Sequence, residues 1–550
     1  MSLIEFTLFA PYNNGAELKG DFSNWEAISM SKGEDGTFRT KVDLEDGDYE
    51  YKFRVQSQSY FFKPDTWVEV TDPYAIAVKD DETQNGVVRI RDGQRVVDTY
   101  EWKNDHVNLP ADHELVIYEM HIGDFSGGEE DPNPRGKYKH VVEKLDYLAE
   151  LGVNAIELMP VNQNPGDYSW GYMIRHLFAA ESNYGKSEEL KRLIDECHGR
   201  GIRIILDCVF NHTDTESPLT QIDHNYWYSR HPSDPEYNWG PEFDYAHFDD
   251  NLGIFPARKF VNDVISFWVK EYHIDGIRYD AVKQIDNFDF LYGAVEVAKQ
   301  AAGPKPFYNI AEFIPNTPVV TNEDGPMDGC WNDAFSYCIG EFITGQETNL
   351  ERLKDAVEPR RLGYMGVTNV VNYLASHDHN RLMIELANNE IFDEEAFRRA
   401  KLGAALLFTA VGVPMIWMGE EFGSYQPKET KSHKIEWNLL ENENNKGLLQ
   451  YYKGLINLRK NNPALHTANV DFLHTNQEGQ VLGYNRWNDE GSRIVVVANL
   501  SDNYLAGYAV PNFPENGTWH EWTRDYDIEV NDHTLVDDLA EYEARVYVWH

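Results

Sequence analysis

The chain predicts an α/β fold: a closed (β/α)8 TIM barrel between an N-terminal and a C-terminal β-sandwich. Three observations predict it. Strand and helix patterns alternate through the middle of the 550 residues. The two flanks read instead as short alternating strands with turns. Four central segments each follow an apolar run with polar or charged residues: Leu206–His212, Gly276–Val282, Asn309–Phe313 and Ser376–Asn380. Parallel strands that deliver polar side chains to one end build the mouth of a barrel.

In chain order, residues 1–100 form the first β domain. Phe38–Val42 and Tyr49–Val55 are alternating runs parted by Asp/Gly turns. The barrel is expected over 105–455, with strands at Leu115–Met120, Ala155–Met159, Ile202–Asp207, Gly276–Asp280, Tyr308–Glu312, Cys330–Phe335, Val371–Ser376 and Pro414–Met418. Helical patterns fall between them, as at Ser187–Arg200, Ala257–Tyr272 and Glu394–Phe408. Residues about 213–255, rich in Asp, Pro, His and aromatics, read as a loop-like insertion over the mouth. Residues 460–550 return to strands, with Arg493–Leu500 as a buried one and Ala544–Trp549 closing the chain.

Composition narrows the function. With 49 Lys and Arg against 92 Asp and Glu, the formal charge is −43. That argues against nucleic acid and anionic membranes as partners and fits a neutral or cationic ligand, or a surface kept soluble by charge, as in a high-salt setting. The 14 Trp and 32 Tyr suit stacking on sugars and equally suit large cores. No pair among the four cysteines has zinc-like spacing, and Cys208 is expected to pack in a strand. The start lacks a basic segment and a long apolar run, so a cytoplasmic location is expected.

Three of the delivered residues are carboxylates: Asp280, Glu312 and Asp378. Together they can divide the tasks of nucleophile, general acid and charge stabiliser that glycoside cleavage requires. A lone Asp after a strand is more often a cap or turn residue, and Asp207 is read so, or as a structural partner of Arg278. His377-Asp378-His379 has no third ligand at metal spacing.

Taken together, Asp207…Asn211-His212, Gly276–Asp280, Glu312, His377-Asp378 and Gly412–Phe422 resemble the strand-end motifs of the α-amylase family of retaining α-glucan glycosidases and transglycosylases. The resemblance spans essentially the whole chain. It implies Asp280 as nucleophile, Glu312 as acid/base and Asp378 as transition-state stabiliser. Arg278 stands two residues before Asp280 on one strand, so both face the same side and Asp280 is expected to stay ionised. Glu312 is expected to begin protonated. Arg278, His212, His377, Tyr172, Lys283 and Trp170 are the implied substrate-binding residues. No cofactor is implied. Asn211 matches a calcium-ligand position of the family, structural rather than catalytic, for which no acidic partners can be named.

Two positions bear on specificity. Asp167–Tyr172 has Trp170 where simple starch-cleaving amylases have His, a form more similar to branching and debranching enzymes. Lys283 favours the amylase side, and Gln284 replaces a common His. Leu18–Trp25 resembles a starch- and glycogen-associated module, in which Trp25 is expected to be buried and Trp67 is a second candidate for stacking. The expected function is hydrolysis of α-1,4 links in starch or maltodextrin. Branching by transglycosylation and α-1,6 cleavage are the alternatives, and the expected partner is an α-glucan. The oligomeric state is not fixed by the sequence.

Overall fold

Eight parallel strands close the central barrel: β1 (Ile117–Met120), β2 (Ala155–Leu158), β3 (Arg203–Cys208), β4 (Gly276–Tyr279), β5 (Tyr308–Ala311), β6 (Gly329–Asn332), β7 (Val370–Asn372) and β8 (Val413–Trp417). Neighbours pair in sequence order, and β1 pairs with β8 to close the ring. The computed structural model describes every residue except 1, 80, 130–134, 167–168, 232–236, 429–432 and 550. Asp167 and Tyr168 of the Trp170 segment therefore lie outside the described residues.

Side chains alternate along a strand, so every second residue points into the barrel. Ile117, Ala155, Ile205, Tyr308, Ile310 and Val371 contribute to a dry apolar layer. Two residues further towards the C-terminal end come Glu119 on β1, Glu157 on β2, Asp207 on β3 and Arg278 on β4, all at most 2% exposed. The same period carries the chain on to Asp280 after β4 and Glu312 after β5. Gly276 begins β4 because β5 lies close: a Cβ there would meet the Tyr308 carbonyl oxygen at 2.6 Å.

The elements depart from expectation in three places. The sixth strand ends at Asn332, since Asn332 accepts a hydrogen bond from the Phe335 amide and caps helix Asp333–Thr344. The seventh ends at Asn372. Beyond it, Ser376 Oγ accepts from the Asp378 amide and bonds His379 Nδ1, a local turn that competes with the ladder. Asp378 thus comes from a loop rather than a strand end. The insertion contains a helix, Pro218–Trp227, with Pro at its first position.

Before the barrel, a three-stranded and a six-stranded sheet enclose one core, with Phe6 and Leu8 from one and Leu18, Phe53 and Val55 from the other. Ile222 of the insertion helix is fully buried in that same core. Its carbonyl accepts from Asn13 Nδ2 at 2.9 Å and from the Gln58 amide at 3.0 Å. The N-terminal domain is thereby bonded to the insertion above the barrel mouth. Trp25, expected inside, is 36% exposed. Asn24 and Trp25 adopt left-handed backbone (φ 51° and 62°), and Phe22 packs against Phe6 instead.

After the barrel, six- and two-stranded sheets share a core that includes Val495, Val497, Trp519 and Tyr547. All four cysteines are free and buried, Cys208 among them. Among the described residues, no helix is long and apolar enough to cross a membrane.

Candidate active site

Arg278 organises the mouth from below. It is fully buried, with its guanidinium 4.4 Å from the Trp331 ring. Nη1 donates to Asp207 at 2.7 Å and to Asp280 at 2.8 Å, and Nη2 pairs with Glu312 at 3.1 Å. One cation therefore ties together the ends of β3, β4 and β5. The reading of Asp207 as its structural partner agrees with this geometry, and Tyr172 Oη donates to the other Asp207 oxygen. Arg278 itself is absent from the cavity lining. It positions carboxylates; a substrate-binding part does not fit its depth.

After Asp280 the chain turns at Ala281, a non-glycine residue at φ 50°. This conformation is costly and persists where surrounding contacts enforce it. Here the Ala281 amide donates to Glu312 Oε2 at 2.7 Å, which locks the ends of β4 and β5 together. Burial, then the Glu312 charge, raises the Asp280 carboxyl well above the usual range, against the pull of Arg278. Arg278 pulls towards the ionised form of Asp280, but that cation is shared among three carboxylates and does not outweigh burial and the Glu312 charge.

Asp378 has the opposite environment. Burial disfavours its charge, but His377, Arg278 and Lys428 hold it well below the ordinary carboxylate range. His377 Nε2 lies 3.1 Å from Asp378 Oδ2, and its Nδ1 lies 2.6 Å from Glu119 Oε1. Burial opposes a charged imidazole, yet Asp378 and Glu119 outweigh it and raise His377 well above its usual value. His377 also stacks on Tyr172, with centroids 5.0 Å apart and planes at 17°. Trp170 meets its edge at 5.6 Å and 85°. Gly171 lets both rings arrive from one short loop: its φ is 93°, and a Cβ would sit 2.6 Å from the Pro160 carbonyl oxygen.

These groups line a cavity of about 530 Å³, within the range of small-ligand sites. Its wall holds Asp280, Glu312 and Asp378 together with Trp170, Tyr172, His212 and His377. His212 Nε2 donates to the Tyr172 carbonyl at 3.1 Å, and burial lowers His212 to about 4, so it is neutral near pH 7. Lys283 is not brought into this group. It is exposed on the one-turn helix Val282–Ile285 and does not line the cavity.

Asn211 is buried and its amide faces His212 at 3.2 Å. Among the described residues, no group of three or more His, Cys, Asp or Glu stands together to hold a metal.

Sequence reasoning missed Glu119, Trp331, Trp239 and Tyr337. A charged residue inside the apolar strand Leu115–Met120 was the available signal for Glu119. Its partner His377 is 258 positions away, which no local pattern reveals. Trp239 and Tyr337 line the cavity from irregular chain and from helix Asp333–Thr344.

Comparison with known proteins agrees with this geometry. Residues 100–251 match the family described as "Alpha amylase, catalytic domain", and residues 2–75 match "Carbohydrate-binding module 48 (Isoamylase N-terminal domain)". A malto-oligosyltrehalose trehalohydrolase of Saccharolobus solfataricus is 28% identical over 83% of this chain and 85% of its own length. A pullulanase of Bacillus subtilis is 27% identical over 92% and 78%. A 1,4-alpha-glucan branching enzyme of Aquifex aeolicus is 26% identical over 94% and 86%. The crystal structure of type I pullulanase from Bacillus subtilis complexed with maltose superposes with a TM-score of 0.84 at 23% identity, covering 100% of this chain and 84% of that one. An α-amylase catalytic domain match thus follows a match to carbohydrate-binding module 48 along the chain, and together with these relatives the two matches support a glycoside hydrolase family enzyme.

Proposed function

We propose that this enzyme is a retaining hydrolase of α-1,4-glucosidic links in starch- or maltodextrin-type α-glucans. The observation that carries the reading is the convergence of Asp280, Glu312 and Asp378 on one aromatic-walled cavity, with Arg278 joining Asp280 to Glu312 from beneath.

In the first step the Asp280 carboxylate attacks the anomeric carbon, and Glu312 gives its proton to the departing glycosidic oxygen. The C–O bond breaks and a glycosyl ester on Asp280 forms. In the second step a water attacks the same carbon, Glu312 takes its proton, and Asp280 leaves as a carboxylate. A proton on Glu312 removes one of the charges that raise Asp280, and Arg278 favours the ionised nucleophile against the burial that remains. The Ala281 amide occupies Glu312 Oε2, which leaves Oε1 for the proton. Asp378 is ionised and suits hydrogen bonds to sugar hydroxyls that tighten as positive charge grows on the ring. His377, whose ring nitrogens face Asp378 and Glu119, holds Asp378 in place, and His212 lines the same cavity. Tyr172 and Trp170 offer flat faces to the sugar.

A second reading, α-1,6 cleavage, is favoured by Trp170 and by the likeness to a pullulanase. Branching remains the transfer alternative, favoured by the likeness to a branching enzyme. Incubation with amylose and with pullulan separates all three. New reducing ends from amylose, without new branches, are expected. Reducing ends from pullulan alone overturn the α-1,4 reading in favour of debranching. New α-1,6 links with few reducing ends overturn it in favour of transfer.

A further inference from the structure

The barrel and the C-terminal domain meet around a cavity of about 400 Å³ that shares no lining residue with the catalytic one. Helix Asp393–Thr409 supplies Phe397, Arg398 and Lys401. Lys401 follows Phe397 by four residues and Arg398 by three, so the three side chains stand on one helix face. From the C-terminal domain, the turn between strands Gly517–Glu521 and Tyr526–Val530 brings Arg524, and Tyr542 and Glu543 line the same cavity. That turn is held from behind. Glu521, fully buried and paired with Arg545 at 3.1 Å, accepts from the Thr523 amide at 3.0 Å and from the Arg524 amide at 2.8 Å.

Three cations, Arg398, Lys401 and Arg524, line the cavity against two carboxylates, Glu394 and Glu543. The chain as a whole has the opposite balance, 49 basic residues against 92 acidic ones. The Glu543 charge is already divided: Arg524 Nη2 donates to its two oxygens at 2.8 and 3.1 Å, and Arg545 Nε lies 3.1 Å away. Arg398 Nη1 stands 3.5 Å from Glu541, and its buried Nε has no hydrogen-bond partner. The Lys401 ammonium lies 5.8 Å from the centre of the Tyr451 ring, and among the described residues no carboxylate stands at ion-pair distance from it. Burial lowers the Lys401 ammonium below its ordinary value, with no opposing charge to restore it. A partly desolvated cation without a counter-charge is unfavourable, and an anion that supplies the charge relieves it. Charges more than about 8 Å away are largely screened at physiological salt, so this local excess of cations decides what the cavity attracts.

We propose that this cavity between the barrel and the C-terminal domain binds a phosphorylated sugar of about hexose size. Arg398, Lys401 and Arg524 take the phosphate group: each Arg offers paired N–H donors that match phosphate oxygens, and Lys401 adds a point charge. The cavity is larger than inorganic phosphate requires, and its remaining wall suits a sugar. Phe397, Tyr451 and Tyr542 offer apolar faces to the ring, and the Arg399 guanidinium, 3.5 Å from the Tyr542 ring, fixes one of them. Glu394 accepts from sugar hydroxyls. The ligand touches a barrel helix and the C-terminal domain at once, so its binding stabilises the folded chain. The site does not depend on which glucan link the catalytic cavity cleaves.

Titration calorimetry and thermal melting of the intact protein with glucose 6-phosphate, inorganic phosphate and maltose test the site. Glucose 6-phosphate is expected to bind and to raise the melting temperature. Inorganic phosphate is expected to bind about tenfold more weakly, for want of the ring contacts, and excess maltose is expected not to compete. Lys401→Met is expected to weaken glucose 6-phosphate about 10- to 100-fold, the loss of one charge-assisted contact. Its melting temperature without ligand is expected not to fall, because Met keeps the apolar stem and removes an unpaired charge. Lys401→Arg is expected to retain binding. Arg524→Met, in a surface turn, is expected to weaken binding similarly and decides the matter if Lys401→Met does not fold. No binding of glucose 6-phosphate to the wild type at millimolar concentration overturns the site. Equal affinity in the wild type and the Met variants overturns it, as does displacement by maltose, which places the ligand in the catalytic cavity. Equal affinity for inorganic phosphate overturns the phosphorylated sugar as occupant.

Discussion

Replacing Arg278 by Met removes the cation shared by Asp207, Asp280 and Glu312 while keeping an unbranched chain of similar length. Charge centres about 4 Å apart interact by about 4 kcal/mol at an effective dielectric of about 20, or about three pKa units. Three carboxylates divide that attraction, so the Asp280 carboxyl is expected to rise by about one to two units. The acid limb of kcat/KM reports ionisation of the free-enzyme nucleophile and is expected to move to higher pH by that amount. Loss of one partner from a buried ion network also costs about 3–5 kcal/mol of stability, readable in urea unfolding. Arg278→Lys restores charge without the planar fork and is expected to move the limb less than Met does. The assay is a pH profile on a short aryl maltooligosaccharide for all three proteins. An acid limb that stays in place in the Met variant, with folding confirmed, refutes the shared-cation argument.

Further outcomes follow from the same geometry. Glu119→Gln removes the carboxylate 2.6 Å from His377; a hydrogen bond to a charged group is worth about 1.5–3 kcal/mol, so kcat is expected to fall about 10- to 100-fold. His377 then loses its proton at lower pH, which is expected to shift the alkaline limb down; an unchanged limb contradicts that. Burial pushes the Glu420 carboxyl up to about 8 from an ordinary 4.5, although Tyr452 donates to it. The folded chain thus retains a proton that the unfolded chain releases, and the stability so gained is full below about pH 4.5 and lost as pH rises through about 8. Glu420→Gln is expected to flatten that slope in unfolding measured from about pH 5 to 9, and an unaltered slope assigns it elsewhere. Asp207→Asn weakens the seat of Arg278 without touching the cavity wall, so it is expected to lower kcat more than it changes KM.

Much of the site was legible because strand alternation is rigid. Once β4 and β5 are placed, Gly276, Arg278 and Asp280 must share a side, as must Tyr308, Ile310 and Glu312. Arg278 beside Asp207 follows from the same rule applied to adjacent strands. Asp378 was visible as a motif, but its delivery was not: Ser376 bonds its own neighbours and ends β7 early. What stayed hidden depends on distant or irregular chain. Glu119 reaches His377 across the ring closure between β1 and the loop after β7. Trp239 arrives from irregular chain in the insertion. The depth of Arg278 and the exposure of Lys283 depend on where a side chain ends, which spacing does not encode. Trp25 failed for a local reason, a left-handed turn at Asn24 that gave its expected place to Phe22.

The central claim is that Asp280 bonds covalently to the sugar. A fluorinated α-glucosyl fluoride that glycosylates faster than it hydrolyses can trap such an ester, and peptide mass spectrometry locates it. The account predicts one added glycosyl group on the peptide containing Asp280, absent in Asp280→Asn, with the α-anomer formed first in turnover. An adduct on Glu312 or Asp378, or a β-anomer formed first with no adduct, contradicts it.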